Sequence, residues 1–386
     1  MSSTLRTLPM PTGAAVGEVL PHLREALDGG GPAWLPIPTG DRRESHRLSS
    51  ALQPGDAIED DVALVVTTSG TTGVPKGAML SAAALRASGD ATHERLGGPG
   101  QWLLALPTHH IAGIQVLLRS ILAGIEPAVL DVSGGFLPDG LASAIGGMKG
   151  SRRYTSLVPT QLIKALEEPA SVSALAALDA VLVGGAATPK PVLEHARELG
   201  ITIVRTYGMS ETCGGCVYEG VPLTGTEVRI EDGRVLLGGA MLANGYRGLP
   251  DHPAFAEPGW FRTDDAGVFE DGVLRITGRL DEAITTGGLV VIPQVVEAVL
   301  AEHPAVAQVV VLGLPDDRLG QRVAVAVVPV PGTTPTLAEL RDYVLAELDS
   351  VAAPRELSLV DEIPMRGPGK PDRARLRERL LADSAR

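Results

Sequence analysis

The sequence predicts an α/β protein: a large N-terminal domain of α/β layers plus a β-hairpin subdomain, residues 1–280, then a small α+β domain, residues 281–386. Three observations carry this. Between residue 62 and about residue 206, short apolar runs alternate with helical patterns, the rhythm of strands and helices stacked in layers. From about residue 221 the rhythm changes to paired runs around Asp-Gly dipeptides, a strong hairpin signal. After Gly278-Arg279-Leu280-Asp281 a new unit of about 100 residues begins, an ordinary size for a small domain, and the boundary is set at Asp281.

The elements follow in order. Val62 to Val66 is an apolar run bounded by polar residues and reads as a buried strand. Trp102 to Leu106 is the next strand, Ile111 to Leu122 a mostly apolar helix, and Pro127 to Leu130 an extended piece. Ser156 to Val158 is a short strand and Thr160 to Glu167 a helix, and Ala180 to Val183 is a strand ending in Gly184-Gly185. A helix over Pro189 to Leu199 stops at Gly200, before the strand Ile201 to Val204. The hairpins pair Glu227–Ile230 with Val235–Leu237 around Asp232-Gly233, and Gly267–Glu270 with Val273–Ile276 around Asp271-Gly272. In the last unit a helix near Val295 to Glu302 precedes strands at Val306–Leu312 and Val323–Val328 and a helix at Thr336–Leu348.

Composition bounds the function. A net charge of −13 argues against non-specific binding to nucleic acid or a membrane surface, since both are anionic. A hydrophobic content of 44% supports real cores, and 3% aromatics makes them aliphatic. Cys213 and Cys216 are too few for a disulfide framework or a four-cysteine zinc site, which fits a reducing compartment. No long apolar stretch follows Met1 to Arg6 and no window reaches the ~20 apolar residues of a spanning helix, so the expected location is the cytoplasm.

The chemistry concentrates first in Thr67-Thr68-Ser69-Gly70-Thr71-Thr72-Gly73-Val74-Pro75-Lys76-Gly77. Hydroxyls, glycines that admit close backbone approach and one cation are the parts of an anion-binding nest for phosphate. It is not the nucleotide-kinase loop, because Lys76 is followed by glycine where that loop needs Ser or Thr. A second segment, Tyr207-Gly208-Met209-Ser210-Glu211-Thr212, sets one carboxylate among hydroxyls, a plausible Mg²⁺ ligand beside substrate phosphates.

Together these segments resemble the adenylate-forming superfamily of acyl-CoA synthetases, peptide-synthetase adenylation domains and luciferases, over about residues 60 to 373. The resemblance implies that Thr68, Ser69, Gly70, Thr71, Thr72, Gly73 and Lys76 hold ATP phosphates, Gly184-Gly185-Ala186 flank adenine, Tyr207 stacks on it, Ser210 contacts phosphate and Glu211 holds Mg²⁺. Trp260-Phe261-Arg262-Thr263-Asp264-Asp265-Ala266-Gly267 resembles the ribose motif with Asp265 on the hydroxyls, although Asp264 replaces the usual glycine. The same resemblance implies that Arg279 is a further ribose or phosphate contact and Asp281 the hinge of a mobile small domain. Pro364 to Arg373 resembles the motif whose lysine, Lys370, enters the active site for adenylation and withdraws for the thiol step, when the Gly287-Gly288 loop approaches. In that region Leu289, Val290 and Gln294 depart from the family pattern.

The string Leu106 to Leu117, with Thr108-His109-His110, most resembles o-succinylbenzoate:CoA ligases of menaquinone biosynthesis, with His110 and Gly208 at the acyl pocket and CoA as acceptor. Cys213 and Cys216 are expected to line a pocket. The region before the phosphate loop is short for the superfamily, which is compatible with a homodimer covering exposed surface. Other aryl- or acyl-CoA ligases, carrier-protein-loading adenylation enzymes and a non-catalytic nucleotide-binding regulator are the alternatives.

Overall fold

The computed structural model describes residues 3–68, 75–365 and 371–384. Ser69, Gly70, Thr71, Thr72, Gly73 and Lys370 therefore lie outside the described residues. Two compact units emerge, one of Met1–Arg229, Leu236–Arg262 and Glu270–Leu274, the other of Ile230–Val235, Thr263–Phe269 and Arg275–Arg386. The mixed α/β class expected from the sequence is the observed one.

In the first unit, a seven-stranded sheet runs in the order Val221–Pro222, Gly214–Tyr218, Ile203–Met209, Ala180–Val183, Arg153–Leu157, Gln101–Leu104, Ala128–Val129. Its central neighbours are parallel, as strands separated by crossover helices must be. A five-stranded sheet holds Ala57–Ile58, Ser3–Met10, Ala33–Pro38, Val62–Thr68 and Lys76–Ser81, in that order. The apolar faces close over cores built from Leu, Val and Ala around Trp102, Tyr154 and Tyr218, all fully buried.

The strand expected at Val62–Val66 differs from expectation in one useful way. It runs on to Thr68 and is answered by an antiparallel partner, Lys76–Ser81, with Thr68 opposite Lys76. Lys76 thus stands at the first position of a regular strand, fixed by the backbone ladder. The sequence signal for this second strand, Gly77 to Leu80, is short and holds no β-branched residue, which is why only the first strand was legible.

The strands Thr226–Glu231, Arg234–Gly239, Trp260–Glu270 and Val273–Arg279 make a further sheet, so Asp265 stands within a strand. In the second unit Val306–Asp316 and Gly320–Pro329 form a long antiparallel hairpin, with Glu356–Leu359 parallel on its other side. Pro293–Leu300 and Leu337–Leu345 pack their buried residues into the valine-rich core of that sheet. Thr336 and Glu339 cap the second helix reciprocally, each satisfying an N–H at the helix start. Among the described residues no helix is long and apolar enough to cross a membrane.

Candidate active site

The first unit gathers Lys76, Glu211, Ser210 and Tyr207 by backbone pairing. The segment Ala243 to Arg247 lies along the Lys76–Ser81 strand: Asn244 N–H donates to Met79 O at 2.8 Å, Met79 N–H to Gly245 O at 3.0 Å and Arg247 N–H to Gly77 O at 2.8 Å. Ala243 N–H also donates to Glu211 O at 2.8 Å, joining the carboxylate segment to the same structure. Ser210 Oγ donates to Thr67 O at 3.1 Å, so its single proton ties the Glu211 segment to the strand Val62–Thr68.

This pairing delivers a residue that the sequence reading passed over. Tyr246 is buried and its phenol donates to Glu211 Oε1 at 2.6 Å. Lys76 Nζ lies 5.1 Å from the centroid of the same ring, a cation–π distance. Nζ is also 3.2 Å from His252 Nε2. Gly245-Tyr246 had a turn composition but no chemistry of its own, so only the fold reveals its partners.

Gly184-Gly185 and Tyr207 are brought together by strand register. Ile203–Met209 pairs in parallel with Ala180–Val183, with Arg205 opposite Val183, which sets Gly184 beside Thr206. A Cβ on Gly184 would overlap Thr206 Oγ1, and one on Gly208 would overlap the Gly214 carbonyl oxygen. Both glycines are thus required by close approach of backbone, and Gly185 adds a left-handed φ of 83°.

His110 is the residue before the helix Ile111–Ala123, its ring tilted at 43° against that of His109 with centroids 4.1 Å apart. Burial pulls the His109 pKa down to about 4, helped by His110, against the opposing carboxylates of Glu44 and Asp41. The helix then presents Gln115, whose Nε2 donates to Cys213 O at 2.6 Å, just after the Glu211 segment. One turn on, Arg119 is fully enclosed. Its guanidinium stacks on Trp102 at 5.0 Å and donates through Nη2 to Tyr218 OH at 3.3 Å, while Nε meets no partner. Burial lowers the Arg119 pKa, and among the described residues no carboxylate pairs with it. Cys213 and Cys216 are wholly buried free thiols; burial raises both, Cys216 to about 12, which makes them inert.

The second unit assembles Asp265, Arg279 and Asp281 separately. Arg279 donates to Asp281 through Nε at 2.9 Å and Nη2 at 2.8 Å, and to buried Asp265 Oδ1 through Nη1 at 3.2 Å. Burial opposes the Arg279 charge, but Asp281, Asp265 and Asp264 outweigh it and hold its pKa above the ordinary value. Asp264, the departure from glycine, accepts from Arg234 Nη1 at 3.2 Å. Gln294, the other departure, is equally specific. Its Oε1 accepts Arg279 N–H at 3.1 Å and its Nε2 donates to Glu282, which Arg373 pairs at 2.8 Å.

Residues 19–246 match the AMP-binding enzyme family and residues 295–370 the AMP-binding enzyme C-terminal domain. A probable 2-succinylbenzoate–CoA ligase of Mycobacterium tuberculosis is 55% identical over 98% of this chain and 100% of its own length. The 2-succinylbenzoate–CoA ligase of Escherichia coli is 37% identical over 66% of this chain and 56% of its own length. Among solved structures, the o-succinylbenzoate CoA synthetase of Bacillus subtilis in complex with the acyl-adenylate intermediate superposes with a TM-score of 0.74 at 26% identity, covering 97% of this chain and 88% of that one. An amide bond synthetase from Marinactinospora thermotolerans shares the fold, with a TM-score of 0.83 at 24% identity over 98% and 90% of the two chains. The match of residues 19–246 to the family model and the near end-to-end likeness to the M. tuberculosis relative have one reading, with which the carboxylate held by Tyr246 agrees: this chain belongs to the AMP-binding enzyme family, the adenylate-forming superfamily.

Proposed function

We propose that this protein is an ATP-dependent, AMP-forming acid–thiol ligase that converts o-succinylbenzoate to o-succinylbenzoyl-CoA through an acyl-adenylate. The observation that carries the choice of acid is the 55% identity, over essentially both full lengths, to the probable 2-succinylbenzoate–CoA ligase. The Lys76, Tyr246 and Glu211 cluster supports the adenylation chemistry.

In the first step a carboxylate oxygen attacks the α-phosphorus of ATP and pyrophosphate departs. Lys76 offsets charge on the phosphate oxygens, and a cation fixed by a strand needs no reorganisation as that charge grows. Lys370 is assigned the same task at the α-phosphate from the small domain, with Asp281 as the hinge. Tyr207 and Gly184-Gly185-Ala186 are assigned to adenine, and Asp265 and Arg279 to ribose. In the second step the CoA sulfur attacks the acyl carbon and AMP leaves.

Glu211 fits a Mg²⁺ site of the one-carboxylate kind, because its buried carboxylate is a hard oxygen donor oriented by Tyr246. Bound there with substrate phosphates, the ion would neutralise phosphoryl charge. No group of three or more His, Cys, Asp or Glu side chains makes a metal cage among the described residues.

Arg119 supports a dicarboxylic acid. A buried guanidinium without an acid partner is costly, and a substrate carboxylate arriving beside the His110 helix would compensate it. The test is thioester formation from ATP, CoA and a panel of o-succinylbenzoate, benzoates and fatty acids, read by mass spectrometry. We expect o-succinylbenzoate to be turned over preferentially; no product from it overturns the assignment.

A further inference from the structure

The turn that carries Glu211 is also held from a side that the chemistry above leaves unused. Ser210–Thr212 is one turn of 3₁₀ helix and ends at Cys213, whose N–H donates to Ser210 O at 3.2 Å. Cys213 has φ 53° and ψ 30°, the left-handed conformation that a residue bearing a Cβ rarely adopts unaided. Gly214 follows at φ 97°, and the chain turns back into the antiparallel strand Gly214–Tyr218 directly after the carboxylate.

Two helices hold this strained end. Gln115, on Ile111–Ala123, donates through Nε2 to Cys213 O at 2.6 Å, and Ser88, on Ala82–Arg95, donates to the same oxygen through Oγ at 3.2 Å. Both side chains are buried, as is Cys213. A carbonyl oxygen only accepts, so the Gln115 amide is fixed with its NH₂ toward the turn. Its Oε1 is buried and meets no hydrogen-bond partner among the described residues. For stability alone an apolar side chain of the same length would avoid that cost, so the amide's donor half has another use. The Gln115 stem closes on the turn as well: a Cβ on Gly214 would stand 3.3 Å from Gln115 Cγ.

We infer that Gln115 is a positioning residue for the Mg²⁺ site: by holding Cys213 O it keeps Cys213 left-handed and fixes the direction in which Glu211 leaves the turn. The inference rests on the reading that Glu211 holds Mg²⁺. Tyr246 contacts the tip of that carboxylate, at Oε1, whereas Gln115 secures the backbone beneath it.

The experiment uses the full chain with Gln115→Met, Cys213→Gly and the two together. Methionine is unbranched like glutamine, lacks the donor and removes the unpaired oxygen, while Ser88 still serves Cys213 O. The Tm of Gln115→Met should therefore stay near the wild-type value. The Mg²⁺ concentration for half-maximal pyrophosphate exchange should rise about tenfold, the usual consequence of removing support from a metal ligand. KM for the acid and thioester formation from supplied acyl-adenylate should not change. Hydrogen exchange supplies a readout apart from activity: the Cys213 amide should exchange faster in Gln115→Met, with the amides of the central strands unaltered. Glycine adopts the left-handed conformation without help, so in the Cys213→Gly background Gln115→Met should change both quantities far less. Simple additivity of the two substitutions overturns the proposal, as does a wild-type Mg²⁺ requirement and Cys213 exchange rate in Gln115→Met. A rise in KM for the acid alone overturns it too, because Gln115 would then be an acid contact. A wild-type protein whose pyrophosphate exchange needs no Mg²⁺ overturns the reading of Glu211 instead, and the Cys213 amide still reports whether Gln115 holds the turn.

Discussion

Tyr246 donates its phenol proton to Glu211 Oε1 at 2.6 Å, and its ring lies 5.1 Å from the Lys76 ammonium. One side chain thus contacts both charges of the proposed phosphate site. It does so because residues 243–247 pair with the strand that begins at Lys76.

Tyr246→Phe keeps the ring and removes only the donor. A hydrogen bond to a charged partner is worth about 1.5–3 kcal/mol, so adenylate formation should slow about 10- to 100-fold. Pyrophosphate exchange measured across Mg²⁺ concentrations should also show a higher Mg²⁺ requirement, because the Glu211 carboxylate loses its orientation. Thioester formation from supplied acyl-adenylate should be nearly unaffected. Wild-type exchange rates in the variant would remove Tyr246 from the site.

Arg119 makes a prediction in which stability and activity move in opposite directions. Its guanidinium is enclosed by Trp102 and Tyr218, with no carboxylate beside it among the described residues. Replacing such a buried charge by an apolar side chain of similar volume is often neutral or stabilising. Arg119→Met should therefore keep or raise Tm, yet raise KM for o-succinylbenzoate at least about tenfold, the worth of one charge-assisted contact. KM for ATP should not change, and discrimination against benzoate, which lacks the second carboxylate, should narrow. A large fall in Tm with unaltered KM would mean that Arg119 is structural only.

How much of this was legible in the sequence depended on whether a residue worked locally. Thr67 to Gly77 and Tyr207 to Thr212 carry their chemistry in consecutive residues, so composition alone exposed them. Tyr246, His252 and Arg119 are single residues whose partners lie far away in sequence, such as Glu211 for Tyr246 and Tyr218 for Arg119. No period or spacing encodes such a pair. The first 60 residues were unread for another reason: strand Ser3–Met10 carries Pro9 and strand Ala33–Pro38 carries Pro36 and Pro38, which a strand reading counts against. Ser3–Met10 is nonetheless parallel to Ala33–Pro38, with Leu8 and Met10 filling the core on one face of the sheet and Leu5 packing into a second core on the other.

His93 predicts an acid limit. Burial pulls its pKa down to about 4, assisted by Arg119 and opposed by Asp90, while its Nε2 accepts the Trp102 indole N–H at 3.4 Å. The unfolded chain protonates this ring near its ordinary pKa of about 6.5, but the folded protein does not until near 4. The stability is therefore fully present above pH 6.5 and is lost as pH falls toward 4, at up to about 1.4 kcal/mol per pH unit. His109, lowered in the same direction, adds to the slope. Urea midpoints between pH 7.5 and 5 should fall in the wild-type protein and fall less in His93→Gln. Parallel pH curves for the two proteins would show that His93 is not the group responsible.

Gln294 offers the sharpest test of whether a departure from the family pattern is compensated. Its amide faces two demands at once: Arg279 N–H requires an acceptor, and the Glu282 carboxylate requires a donor. Glutamine meets both, whereas a glutamate would meet the first and set a second carboxylate against Glu282. Arg373 cannot neutralise both, since it already pairs with Glu282 and bidentately with Glu297. Gln294→Glu should therefore cost about 1–3 kcal/mol at pH 7.5, the penalty of an unmet partly buried polar contact. The repulsion raises the pKa of the new carboxyl, so the deficit should shrink as pH drops below about 5 and that group protonates. Adding Glu282→Gln restores a donor facing the new carboxylate and should recover much of the loss, a coupling that a double-mutant cycle reads directly. If the two changes were simply additive, Gln294 and Glu282 would not be the compensated pair that the geometry shows.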